Sequence, residues 1–215
     1  MRLDLGSRII TAQRIFCIGK NYAEHVKELG GPAPGRPMVF MKPATSLVPP
    51  GETIPIPAHG SHLHHEAEVV VLIGQSGKNI SESAAPAHIA GLTLGLDLTL
   101  RDVQSDLKKK GWPWEISKAF DHSAPLGTLT AFEESLPLNN ISFECRVNGT
   151  VRQTGNTGEM MFSIPDLINY LSGIWELKEG DLIYTGTPAG VGPLKSGDRV
   201  TLHGDRLGKF EWTLT

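Results

Sequence analysis

His64-His65-Glu66-Ala67-Glu68-Val69-Val70-Val71-Leu72-Ile73-Gly74 is the stretch on which the fold reading turns. Its apolar, largely β-branched run closes on glycine, which predicts a buried strand over 66–73. Side chains alternate along a strand, so His64, Glu66 and Glu68 are expected on one face and Ala67, Val69 and Val71 on the other. Two carboxylates side by side at the mouth of a buried strand repel each other and lose hydration. They need a cation or a shared proton. All-oxygen ligation suits a hard ion such as Mg²⁺, Mn²⁺ or Ca²⁺. The alternative is a strand that merely starts in solvent.

Working outward, Gly91-Leu92-Thr93-Leu94-Gly95-Leu96 is a second apolar run, and it ends on Asp97. A strand over 91–97 would bring a third acid to the first two. Glu66, Glu68 and Asp97 then form an open three-carboxylate site, with coordination positions left for water and a chelating substrate.

Further strands are predicted over 14–18, 38–42, 141–147 and 181–185. Asn148-Gly149 signals a type I′ hairpin, and Gly204-Asp205 a second turn between strands over 200–203 and 209–214. Helices are fewer. Asn21 is expected to cap a short helix with Glu24 three residues on, burying Tyr22, Val26 and Leu29, until Gly30-Gly31-Pro32 stops it. Ser81 or Ser83 opens another that Gly91 closes. Arg101–Lys110 reads as a helix with Gly111 past its end. Ser163 precedes a fourth, whose Ile164, Leu167, Ile168 and Leu171 form an apolar stripe. The sum is a strand-dominated α+β fold with short peripheral helices, in a single domain over 1–215.

Composition narrows the function classes. The 215 residues are 40% hydrophobic and 20% charged, enough for a packed core. The net charge of -3 argues against nucleic acid as a partner. No apolar run reaches membrane-spanning length, and Met1-Arg2-Leu3-Asp4 does not resemble a secretory signal, so a cytoplasmic location is expected. Cys17 and Cys145 lie in apolar, alternating segments and read as buried thiols.

Other chemical candidates each have a bland alternative. His25 and Glu28 share a helix face and suit a water-activating dyad, or a simple polar surface. Lys118 lies among apolar neighbours and suits oxyanion stabilisation, or pairing with Asp121. Gly186-Thr187-Pro188-Ala189-Gly190 lacks the Lys-Ser/Thr ending of a P-loop. It suits a rigid loop offering backbone N–H groups and the Thr187 hydroxyl to a carboxylate. His64-His65 alone does not complete a zinc site.

These residues, in order, resemble the fumarylacetoacetate hydrolase family, and most closely its small acylpyruvase and oxaloacetate-processing branch. The likeness runs through Ile18-Gly19-Lys20-Asn21-Tyr22-Ala23-Glu24-His25, Met41-Lys42-Pro43, His64 to Glu68, Leu96 to Gln104 and Ser117 to Asp121. It continues through Gln153-x-Gly155-Asn156-Thr157 and Gly186-Thr187-Pro188. Lys20 stands where many relatives carry arginine. The resemblance implies a mixed β-roll, a homodimer, and Mg²⁺ or Mn²⁺ on Glu66, Glu68 and Asp97. It implies catalytic roles for His25, Glu28 and Lys118, with His25 and Glu28 on a lid segment around 20–35. It implies substrate contacts for Lys42, Gln104 and Thr187. The implied substrate is a small 2-oxo acid. The implied reaction is hydrolysis of acylpyruvates, or decarboxylation or keto–enol exchange of oxaloacetate. A non-catalytic metal-binding module is the remaining expectation from another class.

Overall fold

The computed structural model describes residues 1–6, 8–30 and 32–215. Its centre is a six-stranded mixed sheet in the order Thr130–Ala131, Ile89–Leu96, Ala67–Ile73, Leu182–Tyr184, Arg14–Gly19, Met38–Pro43. Only the Leu182–Tyr184 and Arg14–Gly19 pair is parallel. A second sheet of five strands runs Thr150–Asn156, Ser142–Val147, Arg199–Gly204, Gly208–Leu214, Thr53–Ile54.

The unbroken apolar run at 69–73 follows from burial on both faces of the central sheet. Val69, Val71 and Ile73 pack with Phe143, Cys145, Leu202 and Trp212 of the second sheet and with Leu167, Ile168 and Leu171. Val70 and Leu72 pack the opposite way, with Ile15, Cys17, Leu182, Tyr184 and Leu126. Glu66 and Glu68 share the parity of the second set, so the acids project from the sheet end on the Tyr184 side.

Two local expectations need correction. Asn21 is not a helix cap: helix α1, Ala23–Leu29, starts after Tyr22 with no side-chain cap. The Asn21 amide instead donates to Phe162 O and Thr185 O and accepts from Phe162 N, tying the helix entrance to two distant loops. Tyr22 and Val26 are buried as expected, whereas the Leu29 side chain and Gly31 lie outside the described residues. The helix expected after Ser81 shrinks to one 3₁₀ turn, Ala85–His88, because Pro86 removes a donor and the chain enters the Ile89–Leu96 strand before Gly91.

Other local signals match. Asn148 and Gly149 both have positive φ in the turn joining Ser142–Val147 to Thr150–Asn156. The last hairpin pairs Gly204 with Gly208, a slightly longer turn than expected. Helix α2, Arg101–Lys110, ends on left-handed Gly111. A four-residue helix α3, Glu115–Lys118, follows. Helix α4, Ile164–Ile174, opens on Ser163 with a full capping box to Asp166. Both cysteines are free and buried. No helix among the described residues is long and apolar enough to cross a membrane.

Candidate active site

Strand register assembles the acids. In the antiparallel pair, Ala67 faces Leu96, so the next residues outward, Glu66 and Asp97, meet, and Asp97 N donates to Glu66 O at 2.8 Å. On the other flank Tyr184 faces Val70, which carries the chain to Gly186, whose N–H donates to Glu68 Oε2 at 2.7 Å. Gly186 has φ +101, and a Cβ there would meet Asn21 Cβ at 2.6 Å, so only glycine brings the backbone this close. Glu66, Glu68 and Asp97 are all buried, and each offers an oxygen within 4.8 Å of the others.

Cations surround this cluster unevenly. Lys118 Nζ donates to Glu66 Oε2 at 2.8 Å and Asp97 Oδ2 at 2.7 Å, which leaves one of its three donors free. Arg101 bonds Glu66 Oε1 through one guanidinium nitrogen and Gln104 Oε1 at 2.8 Å through another. Burial alone would raise the Glu66 pKa, but the charges of Lys118 and Arg101 outweigh it and hold the carboxyl well below its usual range. Glu68 goes the other way. Burial, then the negative charges of Asp97 and Glu66, push it well up, and the Gly186 N–H offsets only part of this. For Lys118, burial opposes the charge, but Asp97 and Glu66 win and raise its pKa.

The donor set fits a hard dication. It is all oxygen, it converges, and its charge is incompletely met: Glu68 has a single N–H partner, and Asp97 Oδ1 accepts no hydrogen bond although Lys42 Nζ stands 2.8 Å away. The two histidines diverge instead of forming a zinc site. His65 Nδ1 bonds Gln153 Oε1 at 2.9 Å, while the Nδ1 of His64 is buried without a partner and burial lowers the His64 pKa to about 4.

His25 lies over the acids and is buried, with Nδ1 2.9 Å from Glu28 Oε2. Glu28 Oε1 accepts from Gly190 N at 3.0 Å, so the dyad also latches α1 to the 186–192 loop. His25, Glu66, Glu68, Gln104, Lys118 and Thr187 line one cleft, together with Arg101, Lys20, Lys108 and an apolar wall of Met38, Phe40 and Trp114. Its free volume is about 30 Å³, little more than one water.

Two expected substrate contacts look different in space. Lys42 Nζ is fully buried and spends its donors on Leu98 O at 3.1 Å, Ser123 O at 2.8 Å and Lys118 O, outside the residues that line the cleft. It therefore braces the backbone that carries Lys118 and faces Asp97 from behind. Thr187 does line the cleft, but its hydroxyl donates to Ala67 O and accepts from Gln153 Nε2. Lys118 is not the surface partner of Asp121.

Gln153 and Arg101 belong to this constellation without having been assigned a role from the sequence. The Gln153 amide is saturated: Oε1 accepts from Ala67 N and meets His65 Nδ1, while Nε2 donates to Thr187 Oγ1 and Pro188 O. It reaches across from the second sheet, a contact no local pattern encodes. Arg101, four residues after Asp97, was within reach of an argument from charge balance.

Comparison with known proteins identifies the relatives of this chain. Residues 14–215 match the fumarylacetoacetate (FAA) hydrolase C-terminal family. The mitochondrial oxaloacetate tautomerase FAHD1 of Bos taurus is 44% identical over 201 residues, 93% of this chain and 91% of that protein. The mitochondrial oxaloacetate decarboxylase of Dictyostelium discoideum is 44% identical over 188 residues, covering 87% and 86%. The crystal structure of fumarylpyruvate hydrolase from Pseudomonas aeruginosa, in complex with Mn²⁺ and pyruvate, superimposes with a TM-score of 0.95 at 35% identity, covering 100% of this chain and 95% of that one.

Proposed function

The chain belongs to the fumarylacetoacetate hydrolase family, and from that premise we propose that it hydrolyses the C–C bond of acylpyruvates, 2,4-dioxo acids such as acetylpyruvate or fumarylpyruvate, to pyruvate and a carboxylic acid. The observation that carries this reading is that Glu66 and Glu68 of a buried carboxylate triad, Lys118 with an unspent donor, and His25, paired with Glu28, line one cleft.

Glu66, Glu68 and Asp97 would hold Mg²⁺ or Mn²⁺. When bound, the dication supplies Lewis-acid polarisation of the oxygens of a 2-oxo acid and a fixed positive charge beside them. Glu28, oriented by the Gly190 N–H, keeps the proton of His25 on Nδ1 and leaves Nε2 to accept one from water. The water oxygen bonds to the distal carbonyl carbon. Lys118 turns its free N–H towards the oxygen on which negative charge gathers. As the C–C bond breaks, its electron pair stays on the pyruvate carbon, which then takes the proton held by His25. Gln104, oriented by Arg101, presents its amide N–H₂ to the substrate.

A second reading uses the same cleft on oxaloacetate, and the tautomerase and decarboxylase relatives favour it. Loss of CO₂ or keto–enol exchange requires proton transfer at the same carbon but no attacking water. Kinetics of His25→Ala on both substrate types separate the two. Loss of acylpyruvate cleavage on the order of 10²–10⁴-fold, with oxaloacetate turnover less affected, is expected if the dyad activates water. Equal loss on both would assign the dyad to proton transfer alone.

We also propose one catalytic domain, whose α1 region acts as a lid, assembled as a homodimer. The exposed Trp112 and Ile116 offer apolar surface for a second copy. Two buried free thiols suit a reducing compartment, the cytoplasm by default.

A further inference from the structure

The acids of the cleft account for Lys42, Arg101 and Lys118, but not for every cation that faces it. Lys20 and Lys108 also line the cleft, and among the described residues neither donates a hydrogen bond to a carboxylate or forms an ion pair. They come from separate elements. Lys20 follows the Arg14–Gly19 strand, and Lys108 sits in the last turn of α2. Both stand on the rim, Lys20 partly buried and Lys108 exposed.

Each is held there at some cost. Lys20 has φ +58, the left-handed region, where a long side chain is strained and glycine is the relaxed choice. Lys108 Nζ rests 5.1 Å from the Trp114 ring centroid, which fixes its ammonium beside the apolar wall. Desolvation there, then the charges of Arg101, Lys118 and Lys20, lower the Lys108 pKa. Arg101 and Lys118 are paired with acids of the cleft, whereas Lys20 and Lys108 have no carboxylate partner among the described residues and are stabilised by an anion that enters from outside.

We propose that Lys20 and Lys108 form a second carboxylate subsite, which selects 2-oxo acids bearing a distal carboxylate over those with a neutral tail. The inference rests on the proposed function, since that reading places the 2-oxo end of the substrate at Glu66, Glu68 and Asp97. The rest of the molecule then runs along Phe40 and Trp114 towards the rim. Its far carboxylate receives N–H bonds from the two ammonium groups. Among candidate substrates, this favours fumarylpyruvate over acetylpyruvate.

A matched pair of ligands isolates the effect. 2-Oxoglutarate and 2-oxopentanoate have the same carbon count and differ in the terminal carboxylate. Their binding to the Mn²⁺-loaded protein is measured by calorimetry, for wild type, Lys20→Gln, Lys108→Gln and the double variant. Charge-assisted hydrogen bonds imply a preference of roughly tenfold or more for 2-oxoglutarate in wild type. Each single variant should reduce that ratio, and the double variant should bring it near one. Lys20→Arg, which keeps the charge, should retain it. A ratio near one in wild type, or a wild-type ratio unchanged in the double variant, overturns the subsite. Because each ratio is taken on one protein sample, a general loss of folding or metal does not mimic the effect. Turnover is scored separately. A lysine-dependent ratio in a protein that turns over no 2-oxo acid would keep the subsite and reject the proposed function. The same ratio in an active enzyme supports both.

Discussion

Glu68 is the residue on which metal chemistry should register most clearly. Its neighbours Glu66 and Asp97 share Lys118, whereas Glu68 has only the Gly186 N–H. Burial and the two adjacent negative charges raise its pKa well above 4.5. Stability from keeping it neutral is present below that value and is lost as pH rises through the raised one. A dication reverses the preference, so metal binding should release protons and tighten as pH rises. Calorimetry of Mn²⁺ binding in buffers of different ionisation enthalpy measures the release. Mn²⁺ binding that releases no protons at any pH would contradict Glu68 as the ligand whose raised pKa the metal reverses. Asp97→Ala should weaken Mn²⁺ binding strongly in the same titration, and unchanged affinity would remove Asp97 from the site. Much of this was legible in the sequence, because period-2 alternation brings Glu66 and Glu68 together and a strand end supplies Asp97. The charge balance was not. Lys42 read as a substrate contact, yet its ammonium is consumed by three backbone carbonyls that only the folded chain brings together.

Two elements, helix α1 and the 186–192 loop, meet over the cleft through the Glu28 bond to Gly190 N, and the proposed lid role rests on them. The helix has seven residues and no side-chain cap, so little of its stability is local. It is held by Asn21 at its entrance and by the Glu28 bond to Gly190 N. The cleft beneath it is narrow, about 30 Å³, and under the proposed lid role this segment opens to admit a 2-oxo acid. Hydrogen exchange over 23–30 should slow when Mn²⁺ and oxalate bind, and Glu28→Gln, which weakens the latch, should reduce that protection. Exchange indifferent to oxalate would remove the gating role. On the loop side, Gln153→Leu strands the Ala67 N–H and frees Thr187, which predicts about 2–4 kcal/mol lower stability by denaturant unfolding. A loss under about 0.5 kcal/mol would show that the amide network is dispensable. Strands, hairpins and α2 followed from periodicity and turn chemistry. The Asn21 and Gln153 ties did not, since each joins segments more than 80 residues apart in a register that no window of sequence contains.

Across the whole molecule, burial of the central sheet on both faces explains how so many charges gather at one of its ends. Two apolar cores hold the strands in register, and the register alone sets Glu66 beside Asp97 and Gly186 beside Glu68. The acids are therefore positioned by the sheet, while Lys118 is brought to them by helix α3 and His25 by helix α1. The central claim is that this ensemble is a metal-dependent enzyme acting on small 2-oxo acids. The most direct test is steady-state turnover of acetylpyruvate, fumarylpyruvate and oxaloacetate with Mn²⁺ and after chelation, with Lys118→Ala as the internal control. The expected result is turnover of at least one substrate that vanishes on chelation, returns with Mn²⁺, and falls roughly a hundredfold in Lys118→Ala. Turnover that survives chelation, or none on any of the three substrates with Mn²⁺ bound, would contradict it.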